Sequence, residues 1–228
     1  MISRTYRFIF SHVPKTGGTS IETALYKYAD ESYGSVYATK NRWYRNKALF
    51  DLFKNYPDYH SFAVFRNPHD RLLSTFLFFR RGRKRWINFE TFVERACKMT
   101  HSTFQHVYRQ IPYNFTGLRY IQPQSRPNID NIDMFGQLSE SYPFGDNGNI
   151  GYHCLPQSYF IPSEVTNLLN FDDLDNEFKA VCEDIGVPHV VLPKLRRAQD
   201  VDRSQFFTPE LREMVTHHYQ QDFDRFNL

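Results

Sequence analysis

Apolar positions in this chain come in two rhythms, short continuous runs and runs spaced three or four apart, and their alternation predicts an α/β fold. Residues 6–13 (YRFIFSHV) are aromatic and β-branched and read as a buried strand. It runs into Pro14–Ser20, after which Ile21, Ala24, Leu25 and Tyr28 fall on one face of a helix over 20–28. A second strand over 61–65 meets the turn Arg66-Asn67-Pro68 and a helix whose apolar face is Leu72, Leu73, Phe76 and Phe79. Residues 89–99 predict another helix. Residues 110–131, rich in Pro, Asn and Gln, read as loop, and 134–138 as a short strand. Pro143, Gly145, Gly148 and Gly151 make 141–151 turn-forming. A strand over 165–171 precedes a helix marked by Leu174, Phe178, Val181, Cys182 and Ile185, which Gly186 ends. Residues 187–192 predict a last strand, and Thr208-Pro209 starts a final helix lined by Leu211, Val215, Tyr219 and Phe223. The expectation is one domain over 1–228, a central mainly parallel sheet flanked by helices, with ligands at the carboxyl ends of its strands.

Composition narrows the function classes. A chain of 228 residues buries a core without staples. Its three cysteines (Cys97, Cys154, Cys182) are odd in number and widely spaced, which suits reduced thiols in the cytoplasm and neither a disulfide framework nor a metal site. No apolar run approaches the about 20 residues of a membrane span, and no charged-then-apolar leader is present. A net charge of +3 is too small to indicate nucleic acid. Aromatic residues, at 17%, are in excess. Phe8, Phe10, Phe62, Phe65, Phe76 and Phe79 fall on strands and helix faces and are assigned to the core. Tyr33, Tyr37, Trp43, Tyr44, Tyr113 and Tyr152 fall in loops, where rings would stack on adenine or sugar.

Two strand–loop–helix segments carry candidate chemistry. In the first, SHVPKTGGTSIE, Gly17 and Gly18 allow a tight turn that brings backbone N–H groups to a ligand, and the helix that follows offers its N-terminal amides to an anion. Lys15 adds a mobile charge, and Thr16, Thr19 and Ser20 add hydroxyls. The plainer alternative is a Gly-Gly turn with a solvated lysine. The segment is not a Walker A loop, because Lys15 precedes the glycines. In the second, FAVFRNPHDRLLSTF, Arg66 at a strand end and Ser74 eight residues on would clamp a phosphate. The competing reading is an Arg66–Asp70 salt bridge with Ser74 on a helix flank.

Together the two segments resemble the sulfotransferases that use 3′-phosphoadenosine 5′-phosphosulfate (PAPS), in the branch of carbohydrate sulfotransferases and bacterial relatives. In that family a PKTGGTS-type loop, here Pro14, Lys15, Thr16, Gly17, Gly18, Thr19 and Ser20, holds the 5′-phosphosulfate. An R-N-P-x-x-R-x-x-S stretch, here Arg66 to Ser74 with Arg71 at the second arginine, holds the 3′-phosphate. His153-Cys154-Leu155-Pro156-Gln157-Ser158 resembles the family's H-x-x-P-Q-S segment, and weaker similarities continue to Asp222-Phe223.

The resemblance implies transfer of a sulfuryl group from PAPS to an acceptor hydroxyl of a saccharide, with Lys15 countering charge on the departing phosphate. It also implies a base. The histidine that many relatives carry would align near Asn46-Lys47-Ala48, where this chain has none, so His153 and Glu22 are the candidates. Each has a structural alternative: His153 orienting Gln157 or its loop, Glu22 complementing a helix dipole. His12 and His60 read as packing residues. The basic run from Arg80 to Arg85 would attract phosphates or simply end its helix. Two other readings stay open: an atypical P-loop small-molecule kinase, and a nucleotide-binding protein without a base.

Overall fold

A computed structural model of the chain describes residues 1–30, 51–81, 87–99, 148–193 and 201–228. The expected loop over 110–131, the strand over 134–138, five of the six loop aromatics (all but Tyr152) and most of the 80–85 basic run lie outside them. The chain divides into two compact units, Met1–Asn67 with Gln157–Arg197 and Pro68–Pro156 with Ala198–Leu228.

The first unit is built on a four-stranded sheet in the order β1 (Ile2–Ser3), β2 (Phe8–Ser11), β3 (His60–Phe65), β4 (Asn167–Asn170). β2, β3 and β4 are parallel, with Phe10 opposite Phe62 and Val64 opposite Leu169, while the two-residue β1 adds an antiparallel edge. Side chains alternate across the sheet, so Phe8, Phe10, Phe62, Val64 and Leu169 share one face. That face packs against Ile21, Ala24 and Leu25 of α1 (Gly18–Leu25) and against Phe178, Val181 and Cys182 of a later helix, Leu174–Asp184. Phe10 and Phe62 stack with centroids 5.0 Å apart. Both residues are fully buried, so the strands read as continuous apolar runs, as buried parallel strands do.

Two boundaries differ from the sequence expectation. β4 stops at Asn170, whose Oδ1 accepts from the Asp172 N–H at 3.0 Å and starts a 3₁₀ turn over Phe171–Asp173. The predicted strand over 187–192 is absent: Pro188 interrupts it, removing a ladder donor, although Val187 and Leu192 still reach the core.

The described part of the second unit is helical: α2 (Pro68–Arg80), α3 (Phe89–Ala96) and α4 (Gly148–Cys154), then α6 (Pro209–His218) and α7 (Gln220–Phe226), with α5 being the Leu174–Asp184 helix of the first unit. Asn88 caps α3 by accepting from Thr91 N–H at 2.8 Å, and Thr208 caps α6. Part of the aromatic excess is spent here. Phe76 meets Phe89 at 5.1 Å and Phe92 at 5.4 Å, and Phe89 meets Phe207 edge-on at 4.8 Å.

The final helix is split at Tyr219, which turns wholly inward and donates its hydroxyl to the Cys154 carbonyl. Residues 148–154 are helical where turn chemistry predicts a loop. Ile150, Tyr152 and Cys154 are buried, and that packing outweighs the low helix propensity of Gly148 and Gly151. Tyr152, only 3% exposed, is therefore core and not a stacking platform. No helix among the described residues is long and apolar enough to cross a membrane.

Candidate functional site

The loop between β2 and α1 takes its shape from two left-handed residues, Lys15 (φ 71°) and Gly17 (φ 80°). Gly17 is the N-cap of α1, so no side-chain oxygen competes for the first-turn amides. A Cβ on Gly17 would lie 2.8 Å from Leu174 Cδ2 and 3.4 Å from Phe171 Cε2, and one on Gly18 would lie 2.6 Å from the His12 ring. Glycine is thus favoured at 17 by its positive φ and at 18 by the His12 ring behind the loop. Thr16 is fully buried and donates its hydroxyl to the Val13 carbonyl at 3.0 Å, bracing the turn rather than extending from it. Lys15 and Thr19 are half-buried, and Pro14 and Ser20 are buried. A glycine-capped helix start with a lysine beside it suits a phosphosulfate.

Beneath the loop, His12 Nδ1 approaches the Glu22 carboxylate at 2.9 Å, without the alignment of a hydrogen bond. Glu22 is fully buried. Its carboxylate faces the His12 ring within the core beneath the loop. His12, expected only to pack, forms part of the cradle's underside.

Arg66, the residue after β3, is 9% exposed. Its main chain is held on both sides by the Gln157 amide, which donates to Arg66 O at 2.8 Å and accepts from Arg66 N–H at 2.9 Å. Its guanidinium lies 4.2 Å from the Phe171 ring centroid and donates from Nη1 to the Lys15 carbonyl at 3.3 Å. The two sequence motifs therefore touch. Asp70 pairs with Arg203 at 2.8 Å.

Ser74 is half-buried on α2, in the second unit. Arg71, aligned with the family's phosphate-binding stretch, has a different place. It is 1% exposed, donates to the carbonyls of His153 and Leu155, and lies over the Tyr219 ring at 5.8 Å. Arg71 closes the C-terminal end of α4 from within the core. His153 is half-buried at that end, edge-on to Phe79 at 5.2 Å and near-parallel to Phe78 at 6.3 Å. His60 starts β3, where its ring meets Asn167 at 3.0 Å and burial lowers its pKa, against a smaller opposing pull from Asp184.

Gln157 and Phe171 were not singled out by sequence reasoning. Gln157 had one signal, its position in the HCLPQS segment, and Phe171 had none beyond ending the strand predicted over 165–171.

No curated protein and no solved structure matches the chain. The family model described as the sulfotransferase family matches residues 1–228. A glycine-capped loop with a flanking lysine, an arginine at the end of the adjacent parallel strand and a match along the whole chain lead to one assignment: the chain belongs to the sulfotransferase family.

Proposed function

We propose that this enzyme transfers the sulfuryl group of PAPS to a saccharide hydroxyl. The observation that carries the reading is the contact of the two motifs: Arg66 reaches the carbonyl of Lys15 in the glycine-capped loop. Pro14 to Ser20 would hold the 5′-phosphosulfate and Arg66 with Ser74 the 3′-phosphate, the role of Ser74 resting on the family resemblance. PAPS supplies an activated SO₃ group; the chain orients it and stabilises charge at the departing phosphate, which is the task of Lys15. Of the two candidate bases, Glu22 is fully buried against His12 whereas His153 is half-buried, so His153 is the one we assign. The saccharide acceptor rests on the carbohydrate-sulfotransferase resemblance, and a cytoplasmic location on the three free cysteines.

Thermal-shift titrations with 3′,5′-adenosine bisphosphate, 5′-AMP and ATP–magnesium test the cofactor. The bisphosphate should stabilise the chain most. Stabilisation by ATP–magnesium with no response to the bisphosphate would refute the reading in favour of a kinase. Transfer of radiolabelled sulfate to a glycan panel but not to simple alcohols tests the acceptor, and loss of that transfer in His153→Asn tests the base. A chain that binds the bisphosphate but transfers sulfate to nothing would be a nucleotide-binding protein.

A further inference from the structure

Lys15 holds a left-handed backbone, φ 71°, that glycine adopts freely but a lysine adopts only when its surroundings enforce it. The enforcing contact comes from the second motif. Arg66 Nη1 donates to the Lys15 carbonyl at 3.3 Å, and the guanidinium rests on Phe171 at 4.2 Å. The same ring lies 3.4 Å from where a Gly17 Cβ would be, so it abuts the next left-handed residue as well. Arg66 itself cannot drift, because the buried Gln157 amide grips its main-chain N–H and C=O together. A continuous series of contacts thus runs from Gln157 through Arg66 and Phe171 to the peptides of Lys15 and Gly17.

We infer that Arg66, beyond gripping a 3′-phosphate, is the positioning residue of the Lys15 peptide, with Phe171 as its platform. The 5′ side of the nucleotide site then depends on Arg66 even when the nucleotide has no 3′-phosphate. The inference deepens the PAPS reading and rests on it. An arginine that served only as an anchor at the far end of the nucleotide would leave the 5′-phosphate site unchanged when removed.

Calorimetric titration of wild type, Arg66→Gln, Arg66→Lys and Phe171→Leu with 3′,5′-adenosine bisphosphate and with 5′-AMP separates the two roles, with melting curves to check folding. Loss of a charge-assisted hydrogen bond and its platform should weaken 5′-AMP by about tenfold in Arg66→Gln. Phe171→Leu, which removes no charge, should weaken both nucleotides by a similar factor and keep their ratio. Arg66→Lys should recover part of the bisphosphate affinity while 5′-AMP stays weak, a pattern that simple loss of stability does not produce. Wild-type 5′-AMP affinity in Arg66→Gln, with the bisphosphate weakened, would overturn the inference and leave the PAPS reading standing. Should Arg66→Gln lose its cooperative melt, Phe171→Leu decides in the same way, unchanged 5′-AMP affinity overturning the proposal. A wild-type chain that binds neither nucleotide would overturn both.

Discussion

Replacing Gly18 with alanine opposes two effects of known size, and the structure says which is larger. Alanine at the start of α1 gains about 0.5–1 kcal/mol of helix preference over glycine. Against this, the new Cβ would lie 2.6 Å from His12 Cδ2, 2.7 Å from Nε2 and 2.8 Å from Cγ, a whole ring edge rather than one flexible tip. To regain an ordinary 3.4 Å contact the ring must retreat by about 0.8 Å. That retreat disturbs the 2.9 Å approach of Nδ1 to Glu22, a carboxylate with no exposed surface. Overpacking of this kind costs about 1–3 kcal/mol, so the net effect is a loss of about 1–2 kcal/mol. For a chain of this length the melting temperature should drop by roughly 2–8 °C. Circular-dichroism melts of wild type, Gly18→Ala, His12→Ala and the double variant measure the effect and its origin. In the His12→Ala background the alanine at 18 should cost nothing or stabilise. A Gly18→Ala chain melting at or above wild type, or one paying the full penalty without the His12 ring, would refute the argument.

Three further outcomes are expected. Lys15→Ala should lower turnover at saturating donor by about 10²–10³-fold with little change in bisphosphate affinity; intact turnover would remove Lys15 from the chemistry. Arg71→Met should destabilise by about 2–3 kcal/mol in urea unfolding, because the His153 and Leu155 carbonyls lose a charged donor, and an unchanged midpoint would contradict its core role. His60, His69 and His218 all have pKa values lowered, chiefly by burial, from 6.5, so between the lowered and ordinary values the native state binds fewer protons than the unfolded chain. Their stabilising contribution is therefore present above pH 6.5 and lost as pH falls through the lowered values. The melting temperature should decline from pH 7.5 towards 5, and less steeply in His69→Gln; a flat profile in wild type would refute the assignment.

What was legible in the sequence was local. The run from β2 through Gly17 into α1, and from β3 through Pro68 into α2, follows from apolar runs, turn residues and helical spacing within a dozen positions of one another. The same holds for Thr208-Pro209, which caps and starts α6 as its residue types require, and for Gly186, whose φ of 70° ends the α5 segment. Errors arose where distant packing or a single residue overrode local preference. Two glycines in 148–154 read as a turn until Ile150 and Cys154 are buried. Pro188 breaks an apolar run that otherwise has the pattern of a strand.

The site residues divide along a different line, between side chains that meet side chains and side chains that meet main chain. Gln157 holds the backbone of Arg66, Arg71 holds the carbonyls of His153 and Leu155, Tyr219 holds that of Cys154, and Ser11 donates to that of Phe160. A main-chain acceptor has no residue type, so nothing in the sequence marks these pairs. Helical spacing did offer one clue for Arg71, which shares a buried face with Thr75 and Phe79. An arginine on such a face needs a buried partner, and peptide carbonyls at a helix end supply one without any acidic residue. The two arginines of the R-N-P-x-x-R stretch are therefore unequal. Arg71 spends its donors inside the protein, whereas Arg66 keeps a guanidinium stacked on Phe171 beside the glycine loop. Under the PAPS reading proposed above, Arg66, and not the pair, is therefore the arginine assigned to the cofactor.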